Sequence, residues 1–201
     1  RALADYLRAP ALLTNFSRLL IDPNRGEDDP TLVMRLSDGA VVPGNKRIDQ
    51  AEIDRRIRRF YRPYDRAIKA AIEASLQAGK RPVIISMHSF TPVWRGAPRP
   101  WHAGILWAKD GRLSRALIDA LRSDPALIVG DNEPYNGALT GDVIDRHALA
   151  HGFSNTLIEI RQDLIAVEEA AQGWGRRLGV VLEALIRDPQ HRQDFRSSTG
   201  L

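Results

Sequence analysis

Apolar residues recur along this 201-residue chain with two periods, one typical of helices and the other typical of strands. From residue 49 to residue 77 they fall on one stripe at spacings of three and four, which predicts a long helix. Pro63 lies inside this stripe, so a kink or two abutting helices are expected there. A second stripe, from Leu164 to Leu185, predicts the last long helix. Shorter helices are predicted at 1–8, 112–123 and 143–152.

Short apolar runs of the kind found in buried strands separate these helices. The clearest run is 83–87, which is rich in β-branched residues and is entered through Pro82. Because such runs alternate with helices, the sequence predicts an α/β fold, a three-layer α/β/α arrangement around a mixed, mostly parallel sheet. We expect one domain over residues 1–188 and a polar, loosely held tail at 189–201. The other strands are predicted at 11–14, 16–22, 101–107, 126–129 and 155–161.

The composition excludes several classes of protein. Hydrophobic residues make up 43% of the chain and charged residues 27%, as in ordinary globular proteins. No apolar run approaches the roughly 20 residues that span a bilayer, so no membrane partner is expected. The chain has no cysteine, which excludes disulfides and thiolate metal ligands and makes the cytoplasm the predicted location. The net charge of +4 is spread along the chain, so no nucleic-acid partner is predicted.

A histidine follows the clearest predicted strand. His88 and Ser89 stand where the apolar run 83–87 ends, with Thr91 close behind. In open α/β sheets ligands bind beside the carboxyl ends of the strands, so His88 is well placed for chemistry. The alternative is a histidine that completes the strand end by bonding to the backbone. The chain has neither a GxGxxG nor a GxxxxGK[ST] sequence, which argues against nucleotide binding.

Two other predicted strand ends also carry polar residues. Arg18, Asn24 and Arg25 could bind an anion, because a guanidinium donates two parallel hydrogen bonds to a carboxylate. The alternative is a turn with solvated arginines. Glu159 and Arg161 share one face of the last predicted strand. Glu159 could therefore be a general base held by its neighbour, or the two could form a structural ion pair.

A pair of histidines, His147 and His151, is separated by four residues on a predicted helix. The pair would share one face, and such pairs can bind zinc. The residues between them lack the glutamate that the HExxH motif of metalloproteases contains. A metal role for this pair is therefore the weaker hypothesis.

Taken together, the polar segments resemble the N-formylglutamate amidohydrolase family, which is related to zinc carboxypeptidases and aspartoacylase. They occur in the family's order from near the start of the chain to residue 163, so the resemblance covers most of the chain. It implies a zinc-carboxypeptidase-like fold. The matching segments are 17–25, 37–39, 42–45, 88–92, 99–102, 130–135, 146–148 and 159–163.

The resemblance also implies roles for individual residues. His88 is similar to the zinc-binding histidine of the family, and Glu159 to the carboxylate that takes a proton from zinc-bound water. Arg18 resembles the arginine that polarises the scissile carbonyl, and Asn24 with Arg25 the pair that holds the substrate carboxylate. Asn132 and Arg161 are expected to bind substrate as well. We therefore expect Arg18, Asn24, Arg25, His88 and Glu159 to converge at one edge of the sheet.

The implied function is zinc-dependent hydrolysis of a small N-acylated acidic amino acid. N-formyl-L-glutamate, an intermediate of histidine degradation, is the best candidate. Two alternatives are a carboxypeptidase-like deacylase acting on another anionic amide and a non-catalytic anion-binding domain without its metal. The family carries its first metal ligands in an N-terminal His-Ser-Gly or His-Ala-like segment, which this sequence lacks. We therefore expect residues 1–201 alone to bind zinc weakly and to be inactive, and an upstream histidine and carboxylate to restore both properties.

Overall fold

The computed structural model describes residues 1–196, which form one central sheet with helices on both faces. The helices are α1 Ala2–Leu7, α2 Gln50–Arg56, α3 Arg62–Gln77, α4 Arg112–Arg122, α5 Val143–His147, α6 Glu168–Arg187 and α7 Pro189–Arg196. The strands are β1 Leu36–Ser37, β2 Ala40–Val41, β3 Ile84–Phe90, β4 Val93–Trp94, β5 Ala97–Pro98, β6 Ala103–Leu106, β7 Val129–Asp131 and β8 Asn155–Arg161.

The central sheet has the order β3-β8-β6-β7. Strands β3 and β8 are parallel, β6 and β7 are parallel, and the two pairs meet as antiparallel neighbours at β8 and β6. The predicted α/β class with a mixed, mostly parallel sheet is therefore confirmed. The short pairs β1–β2 and β4–β5 are separate antiparallel hairpins.

Both faces of the sheet are covered by apolar side chains. On one face α4 and α6 pack against Ile158 and Ile160 of β8 through Leu117 and Leu178, all of which are buried. A fully buried leucine contributes roughly 1.5–3 kcal/mol, so this face carries much of the stability. On the other face Leu157 packs against residues around α5. Side chains alternate along a strand, so Glu159 lies on that second face, one position beyond its apolar core.

The predicted helix at 49–77 is interrupted by one turn of π-helix at Ile57–Tyr61. Helix α3 then starts at Arg62, so that Pro63 lies in its first turn, where a missing N–H costs no helical hydrogen bond. The predicted helix is thus divided into α2 and α3, which are joined by a π-turn just before Pro63. Single π-turns inside helices are often found at functional sites.

Two strands predicted near the start of the chain are wrong. Residues 11–14 form no regular structure, and Leu13 is 54% exposed. Residues 16–22 form turns, with a hydrogen bond of 2.9 Å from the amide of Leu20 to the carbonyl of Ser17. The apolar pattern resembles a strand, but no neighbouring strand pairs with either segment.

Other predicted boundaries also move, and β3 continues past His88 to Phe90. The strand predicted at 126–129 is Val129–Asp131, and the helix predicted at 143–152 ends at His147. The last long helix starts at Glu168, because Gln162–Ile165 forms a separate 3-10 turn. The first eight residues of the tail form α7, and Phe195 is buried in the core, whereas 197–201 lie outside the described residues. Within residues 1–196 no helix combines the length and apolar character that crossing a bilayer requires.

Candidate active site

His88 and Glu159 are direct neighbours in the central sheet. They pair in register on the parallel strands β3 and β8, so their side chains leave the same face about 4.8 Å apart at the backbone. The apolar core of this face ends at Leu157, two residues before Glu159. The strand register therefore brings an imidazole and a carboxyl together at the edge of the core.

Glu159 is a buried carboxyl that lacks a complete set of partners. It is 7% exposed, and its Oε2 atom has no hydrogen-bond partner among the described residues. Burial raises the pKa of Glu159 to about 7, against the opposing effect of Arg18 and Arg99. A carboxyl with such a pKa can accept and return a proton near neutral pH, as a general base requires.

His88 is held in its neutral form. Its Nε2 atom lies 2.8 Å from Oγ of Ser86, two residues earlier on the same strand face. Although part of the residue reaches solvent, the surrounding protein lowers the pKa of His88 to about 4 by desolvation. A neutral imidazole retains one nitrogen lone pair, which can bind a metal or accept a hydrogen bond.

A loop beside these strands, residues 17–26, supplies the cationic groups; we call it the site loop. Arg18 donates a hydrogen bond of 2.7 Å from Nη2 to Oδ2 of Asp22, which is 4% exposed. Nε of Arg25 lies 3.7 Å from the same carboxylate oxygen. All three charges act on the pKa of His88, so the site loop and the strands form one cluster.

Buried side chains from elsewhere hold the first half of the site loop. Nδ2 of Asn45 donates to the carbonyl of Leu19 at 2.7 Å. Nη1 of Arg56 donates to the carbonyl of Leu20 at 2.7 Å and to Oδ1 of Asn45 at the same distance. Buried backbone carbonyls need partners, and here side chains take the place of a neighbouring strand.

Another set of residues holds the second half of the site loop. The carbonyl of Arg25 accepts hydrogen bonds of 2.7 Å from the Tyr61 hydroxyl and 3.0 Å from Nη1 of Arg146. The side-chain oxygen of Asn24 accepts from the amide of Val143 at 3.2 Å, at the start of α5.

Two glycines allow the site loop to approach the segment before α5. A Cβ added at Gly141 would lie 3.3 Å from Cα of Gly26, so the loop backbone would have to move, whereas a Cβ at Gly26 would lie 3.8 Å from Cα of Gly141 and would meet the Asp28 side chain. Gly141 also has a φ of 76°, which favours glycine.

The segment before β6 forms a further wall of the site. Because β6 is antiparallel to β8, its first residues lie beside the last residues of β8. Arg99 is buried there, donates to the Tyr135 hydroxyl at 2.9 Å, and lies over the rings of Trp94 and Tyr135. Its effect on the pKa of Glu159 places Arg99 in the cluster.

Two glycines let the loop after β7 fold back over the sheet. Across the sheet, His88 pairs with Glu159, Glu159 pairs with Gly104, and Gly104 pairs with Gly130, so the four residues form one row. A Cβ on Gly104 would lie within 2.0 Å of the Glu133 carbonyl oxygen. The absence of side chains at the two glycines therefore lets the loop bring Tyr135 onto Arg99.

The structure thus brings together Arg18, Arg25, His88 and Glu159, with Asn24 on the same loop. Asn132 and Arg161, which are predicted to bind substrate, have other contacts. Oδ1 of Asn132 accepts from the amides of Trp107 and Gly137. Because β7 runs opposite to β8, Asn132 follows the end of β7 that lies away from His88.

Arg161 lies on the same face as Glu159, two residues further along β8. It bonds to Asp163 at 2.8 Å and donates to the carbonyls of Arg99, Pro100 and Trp101. These contacts hold the segment before β6 in place. Substrate binding by Asn132 and Arg161 stays a prediction.

Sequence reasoning gave no role to Asp22 or Arg99. Asp22 follows the apolar Ile21 and stands between two arginines, a pattern that could have indicated a buried, charge-paired carboxylate. Arg99 carries no comparable signal, because its position depends on the antiparallel direction of β6.

The predicted zinc site is incomplete within the described residues. Residues 1–196 contain no group of three histidine or carboxylate side chains that could hold a metal ion. His147 is 1% exposed and its Nε2 lies 2.7 Å from Oδ1 of Asp65, whereas His151 stacks on Phe153. Since α5 ends at His147, the two histidines do not share one helix face. The residues present do not fit a three-ligand zinc centre.

The chain is an α/β protein with a cluster of His88, Glu159 and arginines at one edge of its sheet. The family model for N-formylglutamate amidohydrolase matches residues 1–166, and the chain belongs to this family. Members of this family are hydrolases that act on an amide bond.

Comparison with solved structures shows two close folds. Gene product Atu2144 from Agrobacterium tumefaciens is 30% identical, with a TM-score of 0.84 over 98% of this chain and 76% of that one. An N-formylglutamate amidohydrolase from Ralstonia eutropha JMP134 is 22% identical, with a TM-score of 0.63 over 96% of this chain and 82% of that one. At 22% identity, the likeness to the second structure is evidence for a shared fold and for nothing more. No curated protein sequence matches the chain.

Proposed function

We propose that this protein hydrolyses the amide bond of a small N-acylated acidic amino acid, with N-formyl-L-glutamate as substrate and formate and glutamate as products. The observation that carries the proposal is the buried, unpaired Oε2 of Glu159 beside His88, with arginines on both sides. Buried polar groups without partners are rare and are typical of sites where a ligand binds.

Glu159 is the general base of the proposed reaction. It takes a proton from a water molecule as the water oxygen attacks the formyl carbon. It then returns the proton to the amide nitrogen as the C–N bond breaks. Because burial raises the pKa of Glu159 to about 7, both of its protonation states are populated near neutral pH, so it can accept a proton and later return it.

Arg18 stabilises the negative charge that develops on the formyl oxygen. Its Nη2 bonds to Asp22, which fixes the guanidinium, and the other N–H groups of this exposed side chain remain available. Fixed donors directed at a developing oxyanion usually provide the largest single contribution to catalysis.

Arg25 and Asn24 bind a carboxylate of the substrate. Nε of Arg25 is buried and has no hydrogen-bond partner among the described residues. A carboxylate that reached it would satisfy this donor and gain a charge-assisted hydrogen bond. This donor favours a substrate with a carboxylate, and the choice of an acidic amino acid rests on the family to which the chain belongs.

The zinc dependence and the cytoplasmic location remain part of the proposal. His88 would supply one nitrogen ligand, and its lowered pKa keeps that nitrogen unprotonated. The described residues do not complete the ligand set, so no step of the reaction is assigned to a metal. The cysteine-free composition supports the cytoplasmic location.

A substrate panel with the intact gene product tests the proposal. N-formyl-L-glutamate, N-acetyl-L-glutamate, N-formyl-n-butylamine and a peptide are compared by release of the free amine, with and without added zinc. We expect N-formyl-L-glutamate to be hydrolysed fastest, with equal amounts of formate and glutamate. Faster hydrolysis of the peptide or the acetyl compound would indicate a deacylase of another anionic amide. Binding of glutamate without turnover of any compound would indicate an anion-binding domain.

Metal analysis of residues 1–201 tests the zinc expectation separately. We expect weak binding and substoichiometric zinc after dialysis. Stoichiometric, tightly held zinc would show that residues of this chain provide a complete ligand set.

A further inference from the structure

We propose that two separate side-chain clamps hold the site loop and that each controls a different kinetic parameter. The first clamp is Asn45 with Arg56, and the second is Tyr61 with Arg146. The first positions Arg18 and therefore affects kcat, whereas the second positions Arg25 and therefore affects KM. The inference rests on the proposed function, since it uses the roles given to Arg18 and Arg25.

The first clamp is a buried polar unit. Asn45 is 2% exposed, and its amide nitrogen donates to the carbonyls of Leu19 and Met34 at 2.7 and 2.8 Å. Arg56, 7% exposed, donates to the carbonyl of Leu20. The carbonyls of Leu19 and Leu20 lie within two residues of Arg18, so the clamp fixes the backbone from which the Arg18 side chain extends.

A carboxylate completes this unit. Oε1 of Glu52 accepts from Nε of Arg56 at 2.9 Å, while both oxygens of Glu52 accept from the neighbouring Arg55. Arg55 is exposed and has no contact with the site loop among the described residues. The two neighbouring arginines thus share a partner, and Arg56 alone reaches the loop.

The second clamp closes on the carbonyl of Arg25. Tyr61 is 3% exposed, and its ring lies under the guanidinium of Arg146 at 5.3 Å. Nη2 of Arg146 lies 3.4 Å from Oδ1 of Asp65, and that carboxylate also meets His147 and Lys69. Arg146 is therefore fixed by α3 and α5, whereas Tyr61 ends the π-turn that follows Arg56 of the first clamp.

The two clamps act on opposite sides of Asp22, whose own amide donates to the carbonyl of Leu32 at 2.8 Å. Among residues 1–196 no side-chain hydrogen bond joins Asn45 or Arg56 to Tyr61 or Arg146, and the backbone of the π-turn between Arg56 and Tyr61 is the direct link between the clamps. Asp22 is thus anchored between the two clamped stretches, and its carboxylate contacts both Arg18 and Arg25. We expect a change in either clamp to displace the arginine on its own side of Asp22 more than the other arginine. Small misplacements of a positioned group can cost up to about 100-fold in rate.

Substitution Tyr61→Phe tests the second clamp. It removes one donor to the Arg25 carbonyl and keeps the ring beneath Arg146. We expect KM for N-formyl-L-glutamate to rise ~2–10-fold with kcat unchanged, the loss typical of one neutral hydrogen bond. The effect should disappear with N-formyl-n-butylamine, which has no carboxylate. Tyr64→Phe is the matched control, because the Tyr64 hydroxyl contacts only the carbonyl of Leu12, at 3.4 Å.

Substitution Arg56→Lys tests the first clamp. A lysine cannot reach Leu20, Asn45 and Glu52 together, so we expect kcat to fall ~10–100-fold for both substrates with KM nearly unchanged. Arg55→Lys is the matched control and should leave both parameters unchanged. Asn45→Asp, which removes both donors to the backbone, is the second variant if Arg56→Lys fails to fold, as judged by thermal unfolding.

The outcomes separate the clamps from the proposed function. If the wild type releases no formate from N-formyl-L-glutamate, the proposed function fails and the inference fails with it. If the wild type is active but Tyr61→Phe and the first-clamp variant change the same parameter, only the inference is overturned. A rise in KM for Tyr61→Phe that persists with N-formyl-n-butylamine also overturns it.

Discussion

His88 and Glu159 lie on paired strands, whereas Arg18, Asp22 and Arg25 lie on a loop without regular secondary structure. On the strands, the backbone ladder sets the geometry, since His88 faces Glu159 through the parallel register of β3 and β8. On the site loop, side chains from distant segments hold individual carbonyls in place.

The two halves of the site therefore differ in the substitutions that would disturb their geometry. A ladder of many backbone bonds tolerates the change of any one side chain, so substitutions at His88 or Glu159 should act on chemistry and leave the geometry intact. The site loop depends on a few buried donors, so a change far from the substrate can displace Arg18 or Arg25. The predictions below test this contrast.

Glu159→Gln should have the largest effect. The amide keeps the shape of the side chain but cannot accept the proton of water, so we expect kcat to fall ~10²–10⁴-fold. Steady-state kinetics of the intact gene product measures the loss, and zinc content should not change. A variant with the wild-type rate would make Glu159 structural.

Arg25→Lys should raise KM and leave kcat nearly unchanged. An ammonium cannot reproduce the two parallel hydrogen bonds of a guanidinium, and a charge-assisted bond contributes about 1.5–3 kcal/mol, which corresponds to roughly 10–150-fold in KM. The same kinetic assay measures the change. An unaltered KM would move the carboxylate site away from the loop.

The pH dependence should reflect Glu159 and not His88. Because the pKa of Glu159 is raised to about 7, kcat/KM should rise tenfold per pH unit up to about pH 7 and then level off. The pKa of His88 is lowered to about 4, so no inflection from it is expected between pH 5 and 8. A pH–rate profile with an additional histidine inflection near 6.5 would contradict this assignment.

The same pKa predicts how stability changes with pH. The folded protein favours neutral Glu159, so this contribution is complete below about pH 4.5 and is lost as pH rises through about 7. The loss is on the order of 3 kcal/mol. Glu159→Gln should remove it, so the free energy of unfolding of the variant should exceed that of the wild type by more at pH 8 than at pH 4. If the difference in free energy of unfolding between variant and wild type did not change with pH, the pKa of Glu159 would be that of an ordinary carboxyl.

Gly104→Ala should have the smallest effect on the chemistry and should act mainly on stability. The added methyl group would meet the Glu133 carbonyl oxygen, and overpacking of this kind costs ~1–3 kcal/mol. Gly173→Ala is the matched control, because it lies in α6 with open space around it and should leave stability unchanged or higher. Thermal unfolding compares the two variants. Equal midpoints would show that the loop over Gly104 moves to accommodate the methyl group at little cost in stability.

The secondary structure of the strand half could be predicted from the sequence, whereas that of the loop half could not, although Arg18 and Arg25 were correctly expected beside His88 and Glu159. The apolar run before His88 and the residues around Glu159 have local patterns that define strands, and β8 has the predicted limits, 155–161. At Leu19 and Leu20 the same kind of pattern led to a wrong strand. These residues are held by Asn45 and Arg56, which lie 26 and 36 positions away from them, and no local pattern encodes such contacts.

The direction of the strands also limited the prediction. Asn132 follows β7 and is predicted to bind substrate, whereas His88 lies near the carboxyl end of β3. Whether the ends of two strands meet depends on their relative direction, which the apolar pattern of each strand does not specify. Arg99 was overlooked for the same reason, because it precedes its strand.

The antiparallel meeting of β8 and β6 has a consequence for engineering the substrate range of this protein. In an all-parallel sheet, a library of variants would target the residues that follow each strand. Here half of the sheet is inverted, so the positions that face the reacting group also lie upstream of β6, at 94–102, on the β4–β5 hairpin and the segment after it. The two short strands of that hairpin pair only with each other. Its tip can therefore be lengthened or exchanged without disturbing the central sheet, which makes it the natural place to graft a new specificity.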